Sequence, residues 1–221
     1  SSLISYLFNT KKRYVFKKSN NFHIIDQFNK SFNLNSNSLK IYTNKSEEDL
    51  VSKKIVNDIK HIVIFPGGNW LPKIWPIQNY NELLNILYKK FKNIKFIIVG
   101  SHSERTKYLN QIKLNIPDNK FIDLMGESLT LTSAFMKKSD LFIGNDSGLM
   151  HLAAASNIST IGLFGPTSDK LYAPFGKNCY TIRTKETYEE FLSMKINRQK
   201  SYMSSIKVND VLKIVKEKKL I

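Results

Sequence analysis

The stretch "LFIGNDSGLMHLAAA", residues 141–155, joins an apolar run to an alanine-rich run through Gly, Asn, Asp, Ser and Gly. The apolar run predicts a buried strand, and the alanine-rich run predicts a helix. Asp146 or Ser147 can cap that helix, and Gly148 leaves its first turn without a side chain. Unpaired amides and the positive end of the helix dipole then predict an anion site suited to a diphosphate.

His151 lies four residues after Ser147, one turn into the same helix. At that spacing both side chains share a face, so His151 could hydrogen-bond a phosphate or a sugar hydroxyl. A structural alternative stays open, in which Asp146 only caps the helix and His151 satisfies a buried carbonyl.

Apolar runs without alternation recur from residue 61 onward and predict strands: "HIVIFP", "IKFIIVG", "KFIDLM", "DLFIG", "STIGLFG" and "CYTIR". Such runs are typical of parallel strands that are buried on both faces. Helical patterns between them are predicted at residues 79–92, 104–114, 130–138, 147–156, 185–194 and 207–220. The sequence therefore predicts an α/β fold with a Rossmann-like, doubly wound parallel sheet.

Residues 1–60 have a different pattern, with predicted helices at residues 1–8 and 22–32, a short strand at residues 13–16 and a polar link "NLNSNS". These elements are too few for a second complete domain. We therefore divide the chain into residues 1–60, a nucleotide-binding unit at residues 61–205, and an amphipathic C-terminal helix at residues 206–221.

Composition narrows the classes of function. The 221 residues are 42% hydrophobic, enough for a core, and no apolar run reaches the roughly 18 residues of a membrane span. The start lacks the order of a signal peptide, so a cytoplasmic protein is expected. The single cysteine, Cys179, can form neither a disulfide framework nor a thiolate metal site.

The chain is strongly basic, with 34 Lys+Arg against 18 Asp+Glu and a net charge of +16. This excess favours anionic partners such as phosphates or acidic membrane surfaces. The lysines occur in scattered pairs, without an RNA-binding aromatic signature or a zinc-finger pattern, so no nucleic acid partner is expected.

Loops after strands carry ligands in such sheets, and the first is "FPGGNWLPKIWP", residues 65–76. Gly67 and Gly68 allow close approach of a ligand, their amides and the neighbouring Asn69 can face phosphate oxygens, and Lys73 supplies a cation. The alternative is an ordinary glycine turn with a solvated lysine.

Two further loops have similar features. In "VGSHSE", Glu104 opens a helix and could accept hydrogen bonds from ribose hydroxyls, although a carboxylate there also suits the helix dipole. In "LFGPTSDKLYAPFG", Thr167 and Ser168 could reach phosphate or could only cap a short helix.

Taken in order, "FPGGNWLPKIWP", "VGSHSE", "LMGESLTL", "FIGNDSGLMHLAAASNISTIGLFGPTS" and "APFG" resemble the donor-binding half of glycosyltransferase family 9, the ADP-heptose:lipopolysaccharide heptosyltransferases. The resemblance covers about residues 60–180. It implies the C-terminal half of a GT-B type glycosyltransferase, with a sugar nucleotide bound between two Rossmann-like domains. It also implies transfer of heptose from ADP-heptose to a lipopolysaccharide inner-core acceptor, with neither metal nor cofactor.

By that resemblance, Lys73 contacts donor phosphate, Glu104 contacts the ribose, and the segment around Glu127 and Leu129 contacts the adenine. The resemblance assigns the heptose and diphosphate to Asp146, Gly148 and His151. Some members have hydroxyl residues where this chain has Gly68 and Asn69.

Residues 1–60 resemble only the tail of the family's acceptor-binding domain, so no acceptor-side base is assigned. The implied partners are a nucleotide sugar, a lipid-linked saccharide acceptor and the anionic inner face of a membrane. Two alternatives stay open: a nucleotide-sugar-binding module without turnover, and another nucleotide-sugar enzyme of this fold, such as an epimerase.

Overall fold

A parallel sheet of six strands organises the chain, which a computed structural model describes at residue 16 and residues 18–112 and 116–221. The strands are β1 (Lys60–Phe65), β2 (Ile94–Gly100), β3 (Phe121–Met125), β4 (Leu141–Asn145), β5 (Ser159–Phe164) and β6 (Cys179–Arg183). Their order is β3-β2-β1-β4-β5-β6, and every neighbouring pair is parallel. The predicted α/β fold is confirmed. The order reverses between β1 and β4, where ligands of this fold bind.

The helices are α1 (Ile24–Phe32), α2 (Lys45–Lys54), α3 (Ile77–Lys90), α4 (His102–Ile112), α5 (Leu129–Lys137), α6 (Gly148–Ala155), α7 (Asp169–Tyr172), α8 (Tyr188–Ser193) and α9 (Val208–Glu217). Most predicted helices are present with ends shifted by one to three residues. The helix predicted from residue 185 begins at Tyr188, because Thr187 and Glu190 form a capping box there. The predicted helix at residues 1–8 lies outside the described residues, as do residues 13–15 of the predicted strand. Among the described residues, no helix is long and apolar enough to cross a membrane.

The core has two layers, one on each face of the sheet. On β1, Ile62 and Ile64 pack in the cluster that contains residues of α3 and α9. Val63 and Phe65 belong to the cluster on the other face, with α5 and α6. This division follows from the strand geometry, since successive side chains point to opposite faces of a sheet.

Helix α2 was missed by the sequence analysis, which placed no element between the polar link and β1. It has a capping box formed by Asn44 and Glu47, a sequence signal that could have revealed it. Its Val51 is fully buried, and Thr130 on α5 donates a 2.5 Å hydrogen bond to Glu47. Part of residues 1–60 thus packs on the sheet unit, and the proposed boundary at residue 60 stays a prediction.

A buried amide at the end of β4 holds the loop that follows β1. Asn145 Oδ1 accepts hydrogen bonds from the backbone N–H of Trp75 at 2.9 Å and from the hydroxyl of Tyr80 at 3.2 Å. Its Nδ2 donates to the carbonyl of Gly67 at 2.8 Å. The two strands at the switch point therefore carry loops that are fixed to each other.

We expect Asn145→Ala to lower the free energy of unfolding by at least about 2 kcal/mol, because the buried N–H of Trp75 and carbonyl of Gly67 would each lose a partner at about 1–3 kcal/mol. Urea denaturation checks this. Asn110→Ala, on the exposed face of α4, is the control and should change the free energy of unfolding by less than about 0.5 kcal/mol. Equal effects of the two substitutions would contradict the structural role of Asn145.

Candidate functional site

A cleft of about 1080 Å³ lies at the carboxyl ends of β1 to β4, beside the switch point. Ten of the twelve residues predicted to bind a donor line it: Gly68, Asn69, Lys73, Glu104, Glu127, Leu129, Asp146, Ser147, Gly148 and His151. They come from four separate loops. The structure thus brings together residues that are up to 83 positions apart (68 to 151) along the chain.

The N-terminus of α6 faces this cleft. Ser147 is its N-cap, and its side chain accepts a hydrogen bond from the amide of Met150 at 3.3 Å. Helix geometry leaves first-turn amides without intrahelical acceptors, so those of Gly148 and Leu149 point at the cleft. A Cβ added to Gly148 would meet no atom within 4 Å. The fold itself therefore has room for a side chain at this glycine.

Asp146 and Lys73 form an ion pair across the cleft. The carboxylate of Asp146 does not cap α6 and instead lies 3.6 Å from Lys73 Nζ. Only 15% of the Lys73 side chain and 9% of the Asp146 side chain are exposed. The structure therefore excludes two alternatives from the sequence, the capping role of Asp146 and the solvated lysine.

Glu104 connects the first loop of the cleft to the second. Its Oε1 accepts the amide of Gly68 at 2.6 Å, and its Oε2 accepts the amide and hydroxyl of Ser101 at 2.8 and 2.7 Å. A Cβ at Gly67 would lie 2.2 Å from the carboxylate, so this glycine is required by the Glu104 contact. Among the described residues Oε1 accepts one hydrogen bond, so the carboxylate keeps acceptor capacity for a ribose hydroxyl.

His151 is half-buried one turn into α6. Burial lowers its pKa below the usual value, Asp146 opposes that shift, and the nearby His23 and Lys73 reinforce it. The ring is therefore neutral near pH 7 and acts as a hydrogen-bonding group rather than as a cation. Within the described residues no carbonyl accepts a hydrogen bond from it, so these residues do not support the structural role considered above.

Thr167 and Gly67 do not line the cleft. The guanidinium of Arg183, at the end of β6, donates to the carbonyls of Thr167 at 2.8 Å and Gly165 at 2.6 Å, and to Asp169 at 2.8 Å. This clamp holds the loop after β5, and Thr167 Oγ1 is buried there without a partner among the described atoms. Ser168 caps α7, as the structural alternative held.

The cleft lining also includes two residues of a segment that the sequence did not assign to the site. Leu39 and Lys40 lie in the extended segment between α1 and α2, outside the sheet and its loops, and they line the cleft. No local motif marks them, because their position depends on the packing of α2 against α5.

The described part of the chain contains no group of three or more His, Cys, Asp or Glu side chains placed to hold a metal ion. Metal independence stays a prediction. The pKa of Cys179 is raised by burial to about 11, so this thiol is unreactive near neutral pH.

The model of a protein family, "Glycosyltransferase family 9 (heptosyltransferase)", matches residues 9–202. The chain belongs to glycosyltransferase family 9. It is 29% identical over 178 residues to lipopolysaccharide heptosyltransferase 1 of Campylobacter coli, covering 77% of this chain and 50% of that protein. It is 32% identical over 125 residues to lipooligosaccharide heptosyltransferase 2 of Haemophilus ducreyi, covering 53% of this chain and 35% of that protein. The chain thus spans half or less of the length of these family members.

Solved structures share the fold. A family 9 glycosyl transferase from Veillonella parvula aligns with a TM-score of 0.75 at 18% identity, covering 93% of this chain and 62% of that one. The E. coli heptosyltransferase WaaC, solved with ADP, aligns with a TM-score of 0.68 at 18% identity, covering 97% of this chain and 61% of that one. At these identities the likeness concerns the architecture.

We expect Gly148→Ala to weaken binding of a nucleoside diphosphate such as ADP at least about tenfold, because the new methyl group enters the space beside the first amides of α6. Thermal stability should stay equal or rise slightly, since Gly→Ala at a compatible helical position stabilises by about 0.4–1 kcal/mol. Calorimetric titration and a melting curve measure the two effects.

Gly144→Ala is the matched control for Gly148→Ala. The fold requires a glycine at position 144, because a Cβ there would lie 2.7 Å from the ring of Phe142. It should lower the melting temperature. Undiminished binding by the Gly148→Ala variant would show that the ligand does not approach α6.

Proposed function

We propose that this chain is the donor-binding part of a heptosyltransferase, which transfers heptose from ADP-heptose to a lipopolysaccharide inner-core acceptor. Family membership supports the reaction class. The observation that carries the proposal is the convergence of the α6 N-terminus, Lys73 and His151 on one cleft at the switch point of the sheet.

Sugar transfer breaks the bond between the anomeric carbon and the diphosphate, and the departing ADP takes the bonding electrons. Negative charge therefore grows on the phosphate oxygen as the bond breaks. The amides of Gly148 and Leu149 and the ammonium of Lys73 are already oriented toward that region, so they stabilise the charge without reorganisation. In this proposal the leaving group needs neither a metal ion nor another cofactor.

The remaining roles follow from charge. Asp146 would repel a diphosphate, so its carboxylate suits a sugar hydroxyl, as does the neutral ring of His151. Glu104 offers acceptors to the ribose, and the segment of Glu127 and Leu129 forms the nucleobase end. These assignments place phosphate between a cation and a helix, and hydroxyl groups next to acceptors.

The acceptor in this proposal is a lipid-linked saccharide, and no described residue of the cleft is assigned as its base. A nucleotide-sugar binder without turnover would use the same cleft. Activity separates the two, since transfer of heptose by the chain would exclude a pure binder.

Lys73→Gln should weaken ADP binding at least about tenfold, because it removes the cation from a largely buried anion site. Calorimetry with ADP, UDP and GDP, followed by ADP-heptose, measures affinity and base preference together. Lys53→Gln removes the same charge from the exposed face of α2 and should bind ADP like the unsubstituted chain. A thermal melt checks that each variant is folded. This check is needed because Asp146 loses its ion-pair partner in the Lys73→Gln variant. Tight preference for UDP would contradict the heptosyltransferase proposal and favour another nucleotide-sugar enzyme.

We also propose that the protein visits the anionic inner face of a membrane, where lipid-linked acceptors reside. Helix α9 buries Val208, Val211 and Val215 and carries exposed lysines on its other side, among them Lys213 and Lys216. Such a face attracts anionic lipid by about 1 kcal/mol per lysine near the surface.

Binding to vesicles that contain phosphatidylserine should decrease as salt increases, and should weaken in a Lys213→Gln, Lys216→Gln variant. Neutral phosphatidylcholine vesicles are the control. Binding that is the same at low and high salt would contradict this proposal.

A further inference from the structure

The extended segment between α1 and α2 forms part of the cleft wall. Leu39 and Lys40 line the cleft together with residues of the loops after β1, β2, β3 and β4. This segment has neither helix nor strand from residue 34 to residue 44. It nonetheless closes the side of the cleft that the sheet loops leave open.

Side chains anchor the segment before and after these two residues. Before them, Asn29 on α1 donates to the carbonyl of Ser36 at 2.7 Å, and Ser36 donates back to the Asn29 side chain at 3.2 Å. After them, Lys137 on α5 donates to Thr43 at 2.8 Å, and Thr43 donates to Glu48 at 2.6 Å. The position of Leu39 and Lys40 is therefore set by hydrogen bonds to the helices α1, α2 and α5.

Exposure along the segment singles out Leu39. Leu34 and Tyr42 are 57% and 84% exposed, whereas Leu39 and Ile41 are both half-buried, and of these two only Leu39 lines the cleft. The cleft also presents Leu129, which is 62% exposed, and Leu152 and Ala155 on one face of α6. Together these side chains are an apolar part of a lining that also includes Lys73 and Asp146.

We propose that Leu39 is a specificity-determining residue that packs on the nucleobase of the donor, opposite Leu129, while Lys40 adds positive charge at the rim. The inference rests on the proposed function, because it needs a nucleoside diphosphate in the cleft. A planar base buries two apolar faces in such a site, and its diphosphate then lies toward Lys73. Leu39 makes contact with the base and none with the phosphates.

The test compares a ligand that has a base with one that has none. Leu39→Ser should weaken ADP binding about tenfold and leave pyrophosphate binding unchanged, because only the base loses its apolar wall. Leu39→Met keeps an apolar side chain of similar volume and should bind ADP within about twofold of the unsubstituted chain. Leu34→Ser is the matched control, since it makes the same substitution in the same segment away from the cleft.

Lys40 is tested by the salt dependence of ADP binding. Lys40→Gln should weaken ADP binding about threefold at low salt and little at high salt, because an exposed charge is screened. Lys45→Gln removes the same charge at the start of α2, outside the cleft lining, and should have no effect.

The outcomes separate this inference from the function on which it rests. Unchanged ADP binding by Leu39→Ser, or an equal loss of ADP and pyrophosphate binding, would overturn the role of Leu39 in holding the base. A failure of the unsubstituted chain to bind ADP would overturn the proposed function, and this inference with it. Melting curves should show the same stability for all five variants, since none of the four substituted positions belongs to the core.

Discussion

The buried side-chain amide of Asn145 is the interaction on which the cleft depends. It accepts from Trp75 and Tyr80 and donates to the carbonyl of Gly67, so one residue at the end of β4 fixes the loop after β1. Both loops lie at the only place in this sheet where the strand order reverses. Because buried polar groups are costly when unpaired, these hydrogen bonds allow little variation in the distance between the two loops.

Glu104 extends this constraint to a third loop. Its two carboxylate oxygens accept hydrogen bonds from the backbone amides of Gly68 and Ser101. These bonds join the loop after β1 to the loop after β2. Two of the predicted glycines differ in what surrounds them. A Cβ at Gly67 would clash with the Glu104 carboxylate, whereas Gly148 borders open space. In the proposed function, the ligand is the reason for the glycine at position 148.

Charged groups of both signs line the cleft. Lys73 is paired with Asp146, and burial holds the pKa of His151 low, so that residue adds no charge near pH 7. A diphosphate brings negative charge to a place with helix amides and one cation. A sugar hydroxyl brings none and suits Asp146 and His151. In the proposed function, this arrangement separates the two halves of a nucleotide sugar by electrostatics.

Several features followed from the sequence. Non-alternating apolar runs predicted the strands, and the small polar residues after them predicted the loops that line the cleft, because parallel strands end at one edge of a sheet. Helix α2 was missed even though Asn44 and Glu47 form a recognisable capping box, since the residues around it are mostly charged. Thr167 was predicted to reach phosphate because it follows the end of a strand, but it does not line the cleft, and Arg183 holds its loop by hydrogen bonds to the carbonyls of Thr167 and Gly165.

By itself, the sequence determined the parallel sheet and the family and predicted an anion site at the start of α6, because these depend on local patterns within one strand, one turn or one helix. Tertiary structure decided the rest. The pairing of Lys73 with Asp146, the occupation of Glu104 by two backbone amides and the arrival of Leu39 at the cleft all join segments that are distant along the chain. Contacts of this kind are set by how helices pack on a sheet, and no local pattern of residues encodes that packing.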